Sequence, residues 1–453
     1  MAALTLDDFE LCGRDAGRAA GLTLTCTGSA AYRDQLAVGR YRLPNGLRIL
    51  LAPDFRAPVF AYQTWFGVGS KHENPQRTGL AHLFEHLMFK GTPRHPLGSF
   101  DREMERRGAE TNAATWVDWT YYTQALAARA DNLAVLIDFE ADRMVNLELD
   151  AASFRSELEV VKNERRMAVE DNVGGQLSEA LAALAYREHP YRWPTLGSMA
   201  HLELASMAEL KQFYRRHYAP NNATVVLVGA VEPVAALTAL ARGYGALAAT
   251  PRAVPGWSAE PLQTAPRQQQ LACQVLSPQL AVAYPAPAEG HPDYPALEML
   301  GEILLSGDSG RLYRSLVVSA QLASDVDGDL SPFAEPGLFE FSLILRPGVS
   351  GAAALAALQA ELTRLPGDLQ AAELEKARCN LELAILEELQ DVEGCAAALG
   401  HHETNEGDFS RALTQLARYA KVELGDLSRV AAATFLLARR SAVLAHAAGE
   451  ASL

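Results

Sequence analysis

The sequence contains few cysteines and no cysteine motif. Only five of its 453 residues are cysteines, and they are scattered along the chain without a C-x-x-C pair: Cys12, Cys26, Cys273, Cys379 and Cys395. An odd number of isolated cysteines predicts neither a disulfide framework nor a cysteine-based zinc site. We expect them to be small, buried apolar residues.

Long hydrophobic runs and an excess of basic charge are also missing. The longest apolar stretches, such as 133–137 and 430–438, are much shorter than the roughly 18 residues of a membrane-spanning helix. The 40 Lys and Arg residues against 55 Asp and Glu residues give a net charge of −15, which argues against a nucleic-acid partner because phosphate binding requires a basic surface. Since 49% of the residues are hydrophobic, the chain is expected to fold around a sizeable core, without a membrane span.

The first ten residues contain Asp7, Asp8 and Glu10 and no Lys or Arg. A secretory or organellar leader begins with basic residues, so this segment does not resemble one. The expected compartment is the cytoplasm, or the periplasm if a leader has been removed. Residues 1–35 are predicted to form an irregular N-terminal extension.

A proline-rich linker is predicted at 250–271. It contains Pro251, Pro255, Pro261 and Pro266, and prolines at this spacing prevent a helix and favour extended chain. The linker divides the chain into an N-terminal domain at 36–249 and a C-terminal domain at 272–453.

The two halves resemble distant copies of one plan. Each ends in an apolar, strand-like segment preceded by a helical pattern, at 207–218 and 222–229 in the first half and at 422–437 and 440–446 in the second. Further strands are predicted at 47–52, 59–67, 115–125 and 338–345, and further helices at 129–145, 151–170 and 369–389. Helices and strands mixed without a regular βαβ alternation predict an α+β protein with two similar domains.

The segment that carries chemistry is G-L-A-H-L-F-E-H-L at 79–87. On a helix, His82 and His86 lie about 40° apart on one face, one turn apart, so that both imidazoles can bind one cation. Glu85 lies on the same broad face, about 60° from His82. The order H-x-x-E-H is the reverse of the zinc-peptidase motif H-E-x-x-H.

A catalytic zinc site needs a third protein ligand and an open position for water. The predicted helix at 151–170 offers Glu157 and Glu164, which are seven residues apart and therefore within about 20° of one stripe. Glu159 falls on another face. One of the aligned pair can bind the metal while the other supports a histidine, and the spacing does not choose between them.

Several segments resemble the pitrilysin-type zinc metallopeptidases, also called inverted zincins, and within them the two-domain subfamily related to mitochondrial processing peptidase. The resemblance spans about 42–231. It rests on G-S at 69–70, Glu73, the segment at 79–92, N-A at 112–113 with Thr115, Asp118, Thr120 and Tyr122, K-N-E-R-R at 162–166 and L-G-S at 196–198.

This resemblance implies that Glu164 is the third zinc ligand beside His82 and His86, and that Glu157 is a supporting catalytic carboxylate. It also implies that Asn112 and Ala113 lie on an edge strand beside the metal, where a peptide substrate adds as an extended strand. The family fold implies two similar α+β domains, each a mainly antiparallel β-sheet covered by helices. Together these two domains are expected to form half of a clamshell.

The implied function is that of a zinc metalloendopeptidase with one Zn²⁺ per chain, which hydrolyses extended peptides in a chamber closed by two subunits. A zinc-bound water attacks the scissile carbonyl, and Glu85 acts as the general base. The alternative is a non-catalytic structural subunit of the same fold in a larger complex.

One departure from the family pattern bears on partners. Full-length relatives supply an Arg and a Tyr from the half without zinc, but this chain has Phe339 at the Arg position, and Arg346 followed by Pro347 near the expected Tyr. We therefore expect a dimer with a related subunit that lacks zinc and supplies these contacts, with a homodimer as the alternative.

Overall fold

The computed structural model describes residues 5–32, 36–251 and 256–447. Within these ranges the strands are β1 Thr25–Tyr32, β2 Leu36–Arg42, β3 Arg48–Pro53, β4 Val59–Phe66, β5 Glu110–Thr115, β6 Thr120–Ala127, β7 Ala223–Gly229, β8 Arg267–Ala272, β9 Gln279–Pro285, β10 Ala323–Leu330, β11 Leu338–Leu345 and β12 Ser441–His446.

The α-helices in the same ranges are α1 Leu6–Ala20, α2 Leu80–Leu87, α3 Ser99–Arg107, α4 Ala130–Asn146, α5 Ala151–Arg165, α6 Val173–Ala185, α7 Met199–Glu203, α8 Met207–His217, α9 Pro233–Tyr244, α10 Tyr294–Leu305, α11 Gly351–Asp368, α12 Ala371–Glu388, α13 Val392–Asn405, α14 Ser410–Tyr419 and α15 Leu424–Thr434. No helix in the described part of the chain is long and apolar enough to cross a membrane.

Each half of the chain builds a mixed sheet covered by helices, as the α+β prediction requires. The first sheet has the order β1-β2-β3-β7-β4-β6-β5, and the second has the order β10-β11-β9-β12-β8. Each sheet has an interior strand, β7 or β12, that is parallel to one neighbour and antiparallel to the other. The strands β5-β6-β4-β7-β3 therefore repeat as β10-β11-β9-β12-β8, which is the duplicated plan expected from the two halves.

The interior strands β7 and β12 are buried because both sheet faces are covered. All seven residues of β7 are buried, as are the first five residues of β12. Both strands are largely apolar, and β7 is rich in β-branched residues, a composition that favours a buried strand. The sequence predictions for β7, β12 and β11 are therefore confirmed.

The chain divides into two compact units that are interleaved along the sequence. The first unit comprises Met1–Lys162, Thr195–Pro255 and Leu386–Gln415, and the second comprises the remaining segments: Asn163–Pro194, Gly256–Ile385 and Leu416–Leu453. Helix α6 therefore packs on β9 and β12 of the second unit, whereas α13 packs on β4 and β7 of the first. This differs from the predicted linear division at 250–271, because an amphipathic helix can cover either sheet and its sequence does not say which.

The N-terminal segment is not the irregular extension that we predicted. It contains α1 and β1, and Thr5 and Asp8 form a reciprocal capping box at the start of α1. Helix α1 packs on α9, and Phe9 is buried in the core of the first unit. The Thr5 and Asp8 spacing is a helix-start signal that the sequence offered. Residues 1–4 and 33–35 of the predicted extension lie outside the described residues.

Two other segments differ from their predictions. The single strand predicted at 115–125 is a hairpin of β5 and β6, in which the N–H of Trp116 donates to the carbonyl of Trp119 at 2.9 Å. The predicted linker ends earlier than expected, because β8 pairs in parallel with β12. Residues 252–255 of that linker lie outside the described residues.

Candidate metal centre

The H-x-x-E-H segment forms helix α2, as its spacing predicts. The imidazole rings of His82 and His86 lie side by side, with centroids 4.9 Å apart. On the opposite side of the helix, Leu83, Phe84 and Leu87 are buried in the core of the first unit. This apolar side fixes the rotation of α2, so the two histidines share one outward face.

The start of α2 is held by the buried carboxylate of Glu73. Its Oε2 accepts from the N–H of Gly79 at 2.8 Å, and its Oε1 accepts from the N–H of Ala81 at 2.6 Å. These are amides at the N-terminus of the helix, where backbone N–H groups have no acceptor within the helix. Burial raises the pKa of Glu73 to about 8, and the bonds from Ala81 and Gly79 oppose that rise.

The turn before α2 has room only for glycine. Gly79 has a φ of 95°, in the left-handed region. A Cβ added at Gly197 would lie 2.5 Å from the Gly79 backbone nitrogen, so the L-G-S segment at 196–198 packs directly against this turn. Both glycines therefore set the position of the histidine helix.

Helix α5 brings Glu164 to the two histidines. The division between the units falls within α5 after Lys162, and Glu164 occupies the last turn of this continuous helix. One ligand atom from each of His82, His86 and Glu164 lies within 4.8 Å of the others, and all three side chains are half-buried. Two imidazoles and one carboxylate are a donor set that suits Zn²⁺ in catalytic sites.

Glu157 lies two turns before Glu164 on α5 and makes different contacts. Its Oε2 lies 3.4 Å from His86 Nδ1, and its Oε1 lies 2.6 Å from Lys90 Nζ. A carboxylate beside Nδ1 orients the imidazole so that Nε2 is directed away from it. The sequence did not distinguish the roles of Glu157 and Glu164. Their positions do, because Glu164 joins the histidine group and Glu157 lies behind His86.

Glu85 is outside the three-residue group and contacts strand β5 instead. Thr115 Oγ1 donates to Glu85 Oε2 at 2.6 Å. This bond occupies one oxygen of the carboxylate and fixes the side chain on the histidine side of the helix. Thr115 belongs to the segment that resembles the family, but its contact with Glu85 follows only from the tertiary packing of α2 on β5.

The surroundings of His82 favour its neutral imidazole form. Burial and the neighbouring His86 lower the pKa of His82 to about 4. His82 is therefore neutral near pH 7, which is the form in which histidine binds a metal.

Strand β5 forms the edge of the first sheet, next to β6 alone. Asn112 and Ala113 are on this strand, as the resemblance implied. Asn112 Oδ1 accepts from the N–H of Ala113 at 2.9 Å, so a side chain covers a backbone donor at the edge. An exposed strand edge offers unpaired N–H and C=O groups to an added strand.

Comparison with known families decides the identity of the fold. Residues 48–198 match the family profile described as "Insulinase (Peptidase family M16)", and residues 205–381 match "Peptidase M16 inactive domain". The chain belongs to the M16 peptidase family. The first match contains every residue of the candidate metal centre.

Relatives of this M16 chain cover most of its length. It is 28% identical to "Zinc protease PqqE" of Helicobacter pylori over 86% of this chain and 88% of that protein. It is 23% identical to a "Probable mitochondrial-processing peptidase subunit beta" of Arabidopsis thaliana over 86% of this chain and 74% of that protein.

Solved structures are similar to the fold of this M16 chain. A protease from Helicobacter pylori aligns with a TM-score of 0.85 and 27% identity, covering 90% of this chain and 98% of that one. A "peptidase M16 inactive domain" structure from Pseudomonas fluorescens aligns with a TM-score of 0.83 at 18% identity, over 92% and 99% of the two chains. The latter likeness concerns the fold alone.

Removing the Glu73 carboxylate from this M16 chain should loosen the histidine helix. We expect Glu73→Ala to lower the free energy of unfolding by about 1–3 kcal/mol, because two buried amides lose their acceptor. We also expect it to weaken zinc binding by about three- to tenfold, because α2 carries two of the ligands. Chemical unfolding and competition with a fluorescent chelator measure the two effects.

The matched control is Glu232→Ala. Glu232 caps helix α9 by accepting from the N–H groups of Val234 and Ala235, so its loss should also reduce stability. It should leave zinc affinity unchanged. Equal zinc affinity in both variants would contradict a positioning role for Glu73.

Proposed function

We propose that this chain is a zinc-dependent endopeptidase that hydrolyses extended peptides and binds one zinc ion through His82, His86 and Glu164. The observation that carries the proposal is the convergence of their ligand atoms within 4.8 Å of one another. The residues come from two separate helices, and their chemistry is that of a catalytic zinc site. The printed names of relatives, such as a zinc protease of Helicobacter pylori, agree with this class of reaction.

In the proposed reaction, zinc supplies a Lewis acid that polarises the scissile carbonyl and acidifies a water molecule. Glu85 accepts the proton of the attacking water and later gives it to the leaving amine. The bond from Thr115 to one oxygen of Glu85 orients the carboxylate for that role. Glu157 orients His86, and Lys90 balances the charge of Glu157.

The edge strand β5 is the proposed seat of the substrate. A peptide that adds to β5 makes main-chain hydrogen bonds, which accommodate many sequences. Ala113 and Thr115 alternate with Asn112 along the strand, and Thr115 contacts the proposed base. The scissile bond is therefore placed near the Thr115 end of the strand.

A second subunit is part of the proposal. Phe339, at the position where full-length relatives have an Arg, is buried in the second unit and packs on Phe341 and Phe435. It offers no cationic group to a peptide. We infer that a related subunit without zinc supplies this contact and closes the chamber.

The alternative is a non-catalytic subunit of the same fold. The description "inactive domain" belongs to the match at 205–381, whereas the proposed ligands and base belong to the match at 48–198. The intact set of His82, Glu85, His86 and Glu164 therefore favours the enzyme over the scaffold.

The test is peptide cleavage by the purified chain, alone and co-expressed with a related subunit that lacks the zinc motif. We expect cleavage of unstructured peptides to stop when a chelator removes zinc, and to return with about one equivalent of zinc but not of magnesium. Cleavage that survives complete zinc removal would contradict the proposal. Full activity of the isolated homodimer would refute the second-subunit part alone.

A further inference from the structure

Two tyrosine hydroxyl groups are buried in the core of the first unit, on the α2 side of the sheet. Tyr122 lies on β6, and Tyr218 directly follows α8. The two residues are 0% and 3% exposed. Within the described residues, neither hydroxyl makes a direct hydrogen bond of ordinary length and angle. A buried hydroxyl without such a bond costs stability, so its retention points to a role other than stability.

Another tyrosine pair in the same unit is fully bonded. The hydroxyl oxygens of Tyr62 and Tyr244 lie 2.6 Å apart, and both residues are 0% exposed. This distance corresponds to a strong direct hydrogen bond. The pair of Tyr122 and Tyr218 is buried to the same degree but is not joined in this way. Burial by itself therefore does not explain the two hydroxyls.

The ring of Tyr218 packs between the first sheet and helix α2. Its centroid lies 4.3 Å from that of Phe84 and 4.6 Å from that of Phe66. Phe84 directly precedes Glu85 on α2, and Phe66 pairs with Thr120 across β4 and β6. Tyr218 therefore contacts both the helix of the proposed base and the strands that face that helix.

The hydroxyl of Tyr218 is part of a row of hydroxyl groups. Burial raises the pKa of Tyr218, and the nearby hydroxyls of Tyr122 and Thr120 oppose that rise as hydrogen-bond partners of its ionised form. Thr120 Oγ1 lies 2.9 Å from the carbonyl oxygen of Val68 and 3.4 Å from Thr115 Oγ1. The row thus leads from the two tyrosines to Thr115, which contacts the proposed base.

The protons of this row can be assigned, because each hydroxyl donates only once. Thr120 donates to its nearer acceptor, the carbonyl of Val68, so its oxygen is an acceptor for the other hydroxyls. Thr115 and Tyr218 compete for that oxygen. When Tyr218 donates to Thr120, the proton of Thr115 is left for Glu85 Oε2, which lies 2.6 Å away.

We propose that Tyr218 is a positioning residue for the general base Glu85. It acts through Thr120 and Thr115, so that Thr115 always donates to the carboxylate and holds it in one orientation. The inference rests on the proposed function, because it concerns the base of that reaction. Without the hydroxyl of Tyr218, Thr115 divides its proton between Thr120 and Glu85.

The experiment removes the Tyr218 hydroxyl and measures catalysis and stability separately. Tyr218→Phe is expected to lower kcat for zinc-dependent peptide cleavage about five- to twentyfold, with KM and zinc affinity changed less than about twofold. Its Tm should be unchanged or higher, because the variant loses a buried hydroxyl that makes no direct hydrogen bond. A merely structural tyrosine would give the opposite result, a lower Tm with an unchanged kcat.

The matched control is Tyr244→Phe, which makes the same chemical change in the directly bonded tyrosine pair. It should lower the Tm by about 1–3 °C, because Tyr62 loses its partner. It should leave kcat unchanged.

A double variant tests whether Tyr218 acts through Thr115. Thr115→Val removes the contact with Glu85 and should lower kcat, whereas Thr115→Ser retains the hydroxyl and should keep at least about half of kcat. Adding Tyr218→Phe to Thr115→Val should cause no further loss of kcat, because the row then no longer reaches the base.

Crystal structures of the wild-type and variant chains report the position of the base without any turnover. In Tyr218→Phe, the Glu85 carboxylate is expected to occupy a second orientation that is not bonded to Thr115, whereas Tyr244→Phe should keep the wild-type orientation. The proposal is overturned if Tyr218→Phe keeps full kcat, if its effect adds to that of Thr115→Val, or if its Glu85 is unmoved.

The two proposals fail separately. A wild-type chain without chelator-sensitive cleavage, in which Tyr218→Phe still releases Glu85 from Thr115, would remove the peptidase and keep the positioning contact. Zinc-dependent cleavage with the same kcat in the wild-type and Tyr218→Phe chains would remove the positioning role and keep the peptidase.

Discussion

The Glu85→Gln variant is expected to lose peptide turnover by a factor of about 10³ while it keeps its zinc and its affinity for peptide. Glu85 lies outside the three-residue ligand group, so its replacement removes no metal ligand. The glutamine oxygen can still accept the hydrogen bond from Thr115, which preserves the position of the side chain. What is lost is the capacity to take a proton from water.

Steady-state kinetics with a quenched fluorescent peptide measure kcat, and elemental analysis of the same sample measures zinc per chain. Glu105→Gln makes the same chemical change on an exposed part of α3 and should leave kcat unchanged. Full turnover by Glu85→Gln would remove Glu85 as the base. Loss of zinc together with activity would mean that Glu85 serves the metal instead.

The second large expected effect distinguishes the roles of Glu157 and Glu164 in zinc binding. Glu164→Gln is expected to reduce zinc from about one ion per chain to below about a tenth, because the proposed group of His82, His86 and Glu164 loses its carboxylate. Glu157→Gln should keep measurable zinc and weaken its affinity by about 10- to 100-fold, because Glu157 supports His86 and does not join the ligand group.

Glu159→Gln is the control on the same helix. Glu159 is exposed and pairs with Lys162, so its replacement should leave zinc affinity unchanged. Dialysis against a zinc buffer followed by elemental analysis gives the occupancy, and chelator competition gives the affinity. A larger loss in Glu157→Gln than in Glu164→Gln would reverse the two roles. Unchanged zinc in both variants would favour the non-catalytic scaffold.

Local patterns in the sequence predicted most of the regular elements. Strand β11 was predicted with its observed bounds, and α4 and β4 were predicted to within one residue at each end. The helix predicted at 151–170 ends as α-helix at Arg165 and continues to Glu170 as a π-helical turn. Such a change in helical pitch is not visible in the spacing of apolar residues.

The helix that carries the histidines was also predicted from a local sequence pattern. The apolar side of α2 and the spacing of His82, Glu85 and His86 depend only on helical periodicity. By contrast, the spacing along α5 did not show which of Glu157 and Glu164 binds the metal, because both lie on one face of the helix. Only the packing of α5 against α2 distinguishes the roles of the two glutamates.

The sequence by itself determined most of the helices and strands of this protein and the helix that carries two histidines and a carboxylate. These features are periodic, so each can be recognised within about twenty neighbouring residues. The tertiary structure decided which sheet α6 and α13 cover and which glutamate of α5 joins the histidines. Those outcomes depend on contacts between residues that are far apart in the chain, where no local pattern records which partner is chosen.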